Sequence, residues 1–311
     1  MRVRRQRNEI ETHTPAKVNF FLELLGRRAD GFHQLATVIS AVSIYDSLRV
    51  APRDDDSIRL TIETCESAKS DDVIPTDESN LIVKAFQLVR SRIAEQSSSE
   101  LPGVNVHCVK RIPSQAGLGG ASGNAAGALQ LANEFWEGGL GTETLHDLAA
   151  QLGSDVPFFL TGGTALCEGR GEIITPLNLR RPLWLVVAKP PVGLSTGKVF
   201  KHSRISDNPL SCQRLSQSLS TGRIKKISDN LFNRLQSVAS DLTSWIDRLG
   251  AEFSRMNCLG HLMSGSGSSY FGVFPNRISA IRAGACLSNR LPDAKIFTCQ
   301  TVRSVAFEAL N

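Results

Sequence analysis

The chain contains no long hydrophobic run. A membrane helix needs about 18 apolar residues or more, and the longest candidates, such as Leu183–Ala188, fall far short. Four arginines (Arg2, Arg4, Arg5 and Arg7) crowd the first seven residues, but no apolar stretch of the kind a signal peptide requires follows them. The basic start therefore reads as a solvated tail, and a soluble, cytoplasmic chain without a membrane role is expected. Metal-ligand spacing is also missing. The 7 cysteines (65, 108, 167, 212, 258, 286 and 299) are odd in number, scattered and free of any CxxC. They read as small core hydrophobes in a reducing compartment, not as a zinc or redox site. The 6 histidines show neither HxxxH nor HExxH. A charge of one sign is lacking as well: 35 Lys and Arg face 30 Asp and Glu, a net +5 too weak to argue for nucleic acid. No internal repeat is visible.

What is present is an apolar content of 41% in 311 residues, enough for a real core and for one large or two medium domains. Val18–Leu25 and Val42–Val50 are rich in strand formers, and Ile58, Leu60 and Ile62 alternate with polar residues. Residues 64–79 read as a polar, acidic loop. Asn80 then opens a helix through Leu81, Ala85, Leu88 and Val89, which Ser97–Glu100 and Pro102-Gly103 end. Val104, Val106 and Cys108 alternate as a strand, and helices are expected near 125–136 and 142–152. In the second half, Trp184–Ala188 predicts a buried strand and 203–228 a Ser-rich connection. Helical stretches near 229–239, 242–255 and 276–289 and a last strand near 294–300 follow. The order of elements is α+β without regular βαβ alternation. A boundary near 178, between Pro176 and Pro182, divides the chain into domains 1–178 and 179–311.

The strongest chemical signal is Pro113-Ser114-Gln115-Ala116-Gly117-Leu118-Gly119-Gly120-Ala121-Ser122-Gly123-Asn124, entered by a strand and left by a helix. Small residues let a ligand approach the backbone, and the free N–H groups of a helix start suit a phosphate. It is neither a Walker A loop nor the GxGxxG fingerprint, and a tight structural turn is the competing reading. Lys17 sits inside the apolar run Ala16–Leu24, where it is either functional or a strand-end lysine reaching solvent. The segment Gly26–His33 reads as a turn exposing Phe32 and His33. Asp155 follows a helix end and precedes an apolar run; it lies at a partly buried site or caps the next helix. Met263–Tyr270 holds a second glycine-rich turn that closes over phosphates or simply joins a hairpin.

Taken in order, Pro15-Ala16-Lys17-Val18-Asn19, Pro113 to Gly120, Gly153-Ser154-Asp155-Val156-Pro157 and Gly265-Ser266-Gly267 resemble the GHMP small-molecule kinases. Arg28–His33 and Ser79–Ala85 point to the branch acting on a CDP-linked methylerythritol in the non-mevalonate isoprenoid route. The match covers nearly the whole chain and is weakest across 203–228. The resemblance implies a two-domain GHMP kinase fold. Its N-terminal part is ribosomal S5 domain 2-like, and its C-terminal part is a ferredoxin-like α/β sandwich. It also implies ATP and Mg²⁺ as cofactors, phosphorylation of the methylerythritol 2-hydroxyl, and a monomer or homodimer. By matching position, Asp155 is the catalytic carboxylate and Lys17 the lysine that orients the hydroxyl. Asn19 and Thr196 contact the substrate, His33 reads the cytosine, and Phe32 and Phe200 stack on it. Asn80, Lys110 and residues 113–124 hold ATP.

Two positions depart from the pattern. Ala121 stands where glycine is frequent, which narrows φ and clearance, and Gly123 removes a hydroxyl, leaving Ser122 for phosphate or Mg²⁺. Three other functions compete. One is another GHMP kinase, acting on mevalonate, homoserine or a sugar, against which the Phe32, His33 and Phe200 positions argue. Another is an inactive nucleotide-binding homologue, against which retention of Lys17 and Asp155 argues. The last is a nucleic-acid module, which the dispersed basic residues disfavour.

Overall fold

The structure is a computed structural model that describes residues 1, 3–6, 9–69, 73–96 and 100–303. Its strands are β1 (Val3–Gln6), β2 (Glu9–Arg27), β3 (His33–Pro52), β4 (Ile58–Thr64), β5 (Val104–Lys110), β6 (Thr164–Gly169), β7 (Ile173–Pro176), β8 (Trp184–Lys189), β9 (Phe232–Asn233), β10 (Gly260–Met263), β11 (Tyr270–Phe274) and β12 (Lys295–Gln300). The helices are α1 (Leu81–Ala94), α2 (Gly120–Phe135), α3 (Thr142–Leu152), α4 (Val156–Thr161), α5 (Thr196–His202), α6 (Gln213–Thr221), α7 (Ile224–Ser228), α8 (Gln236–Leu242), α9 (Trp245–Ser254) and α10 (Arg277–Arg290).

The two strand-rich stretches near the start are parts of one hairpin, whose arms β2 and β3 run 19 and 20 residues. Bulges between Pro15 and Ala16, Asn19 and Phe21, and Leu24 and Gly26 bend it. One end of β3 pairs with β5 through Ser47–Pro52, and the other pairs with β6 through Leu35–Ser40. The first sheet thus runs β1-β2-β3-β5-β4, with β6 and β7 added beside β3 and β9 beside β2. The second sheet is antiparallel, in the order β10-β11-β8-β12.

Helices α1, α2 and α3 cover one face of the first sheet, burying Phe86, Val89, Leu129 and Ala149 against Leu48 and Val106. Helices α8, α9 and α10 cover the second sheet through Leu235, Phe253 and Leu287. Between the sheets lies a shared core, where Val18, Phe20 and Val38 of the hairpin meet Leu185, Val187 and Phe271. The β2–β3 hairpin therefore belongs to both halves.

Four expectations change, the first being the helix near 229–239, where β9 occupies Phe232–Asn233 and α8 starts only at Gln236. Residues 213–228 are not a loop: Leu215, Leu219, Ile224 and Ile227 are buried along α6 and α7, a helical period that the serines around them obscure. Val3–Gln6 is not a free tail, because it pairs antiparallel with Glu9–Thr12; Arg2 and Arg7 lie outside the described residues. The glycine-rich segment enters its helix earlier than expected, at Gly120. Among the described residues, no helix is long and apolar enough to cross a membrane.

Candidate active site

A cavity of about 980 Å³ opens between the hairpin, the loop before α2 and the start of α5. Every residue given a catalytic, substrate or ATP role from the sequence lines it except Gly123.

Lys17 is 5% exposed at its side chain, which removes the solvent-reaching alternative. Its Nζ donates to Asn19 Oδ1 at 2.7 Å and stands 3.4 Å from the Asp155 carboxylate. Asn19 is held in turn: its Nδ2 donates to Thr37 Oγ1 at 2.8 Å, and that hydroxyl donates to Phe21 O at 2.6 Å. Asp155 does occupy the N-cap position of α4, but its side chain makes no capping hydrogen bond. The carboxylate faces the cavity instead, with 36% exposure.

The glycine-rich loop is wired to this pair through its backbone. Lys17 N donates to Leu118 O at 2.9 Å, so strand and loop cannot shift independently. The second glycine turn is a hairpin turn, and it also holds the first loop. It joins β10 to β11, and it grips the loop through Ser269 N to Ala116 O (3.1 Å) and Ser264 Oγ to Gly117 O (3.1 Å). Gly117 has φ of +70°, and a Cβ there would stand 2.3 Å from Ser264 O. Only glycine fits that meeting of two backbones. Gly119 (φ +69°) N-caps α2 with no capping side chain, and Gly120, Ala121 and Ser122 of its first turn line the cavity, a placement suited to phosphate oxygens.

The two departures in the loop have little consequence there. Ala121 and Ser122 line the cavity within α2, where Ala121 needs no positive φ. Gly123 is buried, and a side chain there would point at Pro15 O (3.1 Å) and Phe159 (3.4 Å), away from the cavity. A hydroxyl at 123 would therefore face the protein interior.

Beneath the loop lies a group the sequence reading missed. Asp46 is fully buried and ion-paired with Lys110, itself almost buried. The carboxylate also accepts from Arg111 N (2.6 Å), Ile112 N (2.8 Å) and Asn124 Nδ2 (2.9 Å). Asn124 Oδ1 accepts from Thr14 Oγ1 at 2.6 Å, closing the network on β2. The clue was in the strand period, since Ile44, Asp46, Leu48 and Val50 share one face of β3. An acid among three aliphatics on a buried face has to be paired.

At the far end of the cavity, His33 and Phe200 meet with ring centroids 5.4 Å apart and planes at 48°. His33 is buried, yet its Nε2 has no hydrogen-bond partner among the described residues. Burial first, and Arg27 second, lower its pKa below 6.5, which leaves the imidazole neutral at neutral pH. Phe32 is 51% exposed, and Arg170, also missed from the sequence, lies 5.0 Å from its ring centroid. Thr196 Oγ1 and Ser266 Oγ are 2.9 Å apart at the cavity edge. Asn80 caps α1, accepting from Ile82 N at 2.9 Å and donating to Pro75 O at 2.6 Å. Its side chain is thus already engaged in the wall.

Removing Asp46 should be costly. Asp46→Ala strands the Lys110 ammonium and three further donors, and a loss of about 3–5 kcal/mol is expected in urea unfolding. A loss below about 1 kcal/mol would show that the network relaxes without it.

Residues 80–163 match the GHMP kinases N terminal domain, and residues 215–293 match the GHMP kinases C terminal family. The 4-diphosphocytidyl-2-C-methyl-D-erythritol kinase of Alkaliphilus metalliredigens is 34% identical over 86% of this chain and 89% of that protein. That of Cutibacterium acnes is 37% identical over 90% of each. A crystal structure of 4-(cytidine 5'-diphospho)-2C-methyl-D-erythritol kinase superposes with a TM-score of 0.76 at 30% identity, over 93% of this chain and 98% of that one. Homoserine kinase from Cytophaga hutchinsonii superposes at 0.72 with 17% identity, which shows the shared fold alone. The chain belongs to the 4-diphosphocytidyl-2-C-methyl-D-erythritol kinase family of the GHMP kinases, enzymes that use ATP to phosphorylate small molecules.

Proposed function

We propose that the chain transfers the γ-phosphoryl group of ATP to the methylerythritol 2-hydroxyl of 4-diphosphocytidyl-2-C-methyl-D-erythritol, giving the 2-phosphate and ADP. The observation that carries this is one cavity with three chemistries in line. A helix start suited to phosphate lies beside it, the Lys17–Asp155 pair stands within it, and an unpartnered His33 imidazole next to Phe200 closes it. In the reaction the substrate hydroxyl oxygen bonds to the γ-phosphorus, the bond from that phosphorus to the bridging oxygen breaks, and ADP leaves. Asp155 accepts the hydroxyl proton. Lys17, fixed by Asn19 and 3.4 Å from the Asp155 carboxylate, orients the hydroxyl. The first turn of α2, with residues 113–122 and Asn124, holds the ATP phosphates, and Asn80 and Lys110 border the nucleotide.

His33 Nε2 recognises the cytosine edge, Phe32 and Phe200 stack on the ring, and Asn19 and Thr196 contact the rest of the substrate. Such a base pocket disfavours mevalonate, homoserine or a sugar, which have no ring to stack. Mg²⁺ supplies charge neutralisation on the phosphates. Among the described residues, no group of three or more His, Cys, Asp or Glu converges as ligands. The Ser122 hydroxyl, which lines the cavity, is the group of this chain that would help to hold the ion. Residues 1–178 and 179–311 form the two domains, with the reaction in the cleft between them.

Two substitutions test the assignments. Asp155→Asn should lower kcat by about 10²–10⁴-fold in a folded protein; unchanged turnover removes Asp155 from proton transfer. Phe200→Ala should raise KM for the cytidine substrate by about tenfold and leave kcat nearly intact, because stacking is remote from the transferred phosphoryl group. An unaltered KM would show that the base lies elsewhere.

A further inference from the structure

Glu23 is a buried charge for which the reaction has no use. It sits on β2 with its side chain fully buried, and its carboxylate takes four donors. Arg234 grips it with two prongs, Nε at 2.7 Å and Nη2 at 2.6 Å. Leu24 N (2.9 Å) and Leu210 N (3.0 Å) complete the shell. Burial alone raises the pKa of this group. The Arg234 hydrogen bonds and the Leu210 and Leu24 N–H groups more than offset that, and hold it below 4.5.

A buried ion pair of this kind is weak evidence for stability, since desolvation cancels much of the attraction. Its placement is more telling. Arg234 follows β9, which pairs in parallel with β2 at Phe21 and Leu22, and Arg234 N donates to Leu22 O at 2.8 Å. Helix α8 begins two residues later, at Gln236, and packs against α5, the helix that carries Thr196 and Phe200. Leu210 closes the connection that leaves α5. Helix α5 is therefore tied to Glu23 along two routes, through α8 and through its own downstream chain. On the other side, Glu23 pairs across the hairpin with Ala36, three residues from His33 on β3. One carboxylate links both jaws of the pocket in which His33 meets Phe200.

We infer that Glu23 and Arg234 are a positioning pair for the base pocket, setting the distance between the hairpin jaw and the α5 jaw. This rests on the cytidine-pocket reading above. The pair touches neither substrate and acts through His33 and Phe200. Its loss weakens the cytidine substrate and spares ATP, whose loop is held separately by Lys17 N, Ser264 and Ser269.

The test is steady-state kinetics with both substrates varied, on wild type, Glu23→Gln, Arg234→Lys and Phe200→Ala. Glu23→Gln keeps the volume and removes the charge; its KM for the CDP-linked alcohol should rise about tenfold, with KM for ATP within about twofold of wild type. Arg234→Lys keeps the charge and loses the fork, so a rise of about threefold is expected in a protein that still folds. The same ratios should appear in the inhibition constant of CDP against the alcohol. If both KM values rise together, or if folded Arg234→Lys has wild-type constants, the pair is merely structural and the inference is wrong. If Phe200→Ala responds and the pair variants do not, the pocket stands and only the positioning role falls. A wild type that neither turns over the CDP-linked alcohol nor is inhibited by CDP overturns the pocket reading, and the inference with it.

Discussion

An ammonium group placed inside a protein must find its counter-charge within a few ångströms, and the site is organised by how Lys17 does so. The side chain leaves a bulged part of β2, is steadied by Asn19, and meets Asp155 from the start of α4. Because the Lys17 amide also bonds Leu118 O, the same residue fixes where the phosphate-type loop lies. Position of the Asp155 carboxylate and position of the loop are thus one constraint. Phosphoryl transfer gains mostly from alignment and charge stabilisation, so this coupling is what such a site needs.

Around that point, three carboxylates, two of them fully buried, divide the labour. Asp155 is the partly exposed one and faces the cavity. Asp46 lies below the loop and gathers Lys110, Asn124 and two backbone N–H groups into its floor. Glu23 lies at the far end, joining the hairpin to Arg234 and Leu210. All three sit on or against the β2–β3 hairpin, whose long arms also enter the cores of both halves. A single bent hairpin lets one rigid element present the lysine in its middle and His33 near its tip.

Local physics made part of this legible beforehand. Asn80 before an apolar helical period announced α1, and its side chain does cap that helix. Glycines between a strand and a helix announced a loop open to a ligand, and two of them have the positive φ such a loop uses. Lys17 and Asp155 stood out as charges in apolar surroundings, while their pairing came from resemblance, because residues so distant in the chain carry no local signal of contact. What stayed hidden was of the same long-range kind. Arg234 is an ordinary arginine until Glu23 meets it, and Arg170 sits in a turn with no period to betray that it crosses Phe32. Gly123 misled for a related reason: its motif position suggests a phosphate contact, but the helix turns it towards Pro15 and Phe159. Helices α6 and α7 were obscured by composition, their four buried aliphatics diluted among serines.

The central claim is that one cavity brings ATP and a cytidine-linked alcohol together across Lys17 and Asp155. The most direct test measures ATP consumption by the purified protein with Mg²⁺ and, in parallel, 4-diphosphocytidyl-2-C-methyl-D-erythritol, mevalonate and homoserine. The account predicts turnover confined to the cytidine compound. Turnover of mevalonate or homoserine at a comparable rate would contradict it, keeping the kinase fold and discarding the base pocket.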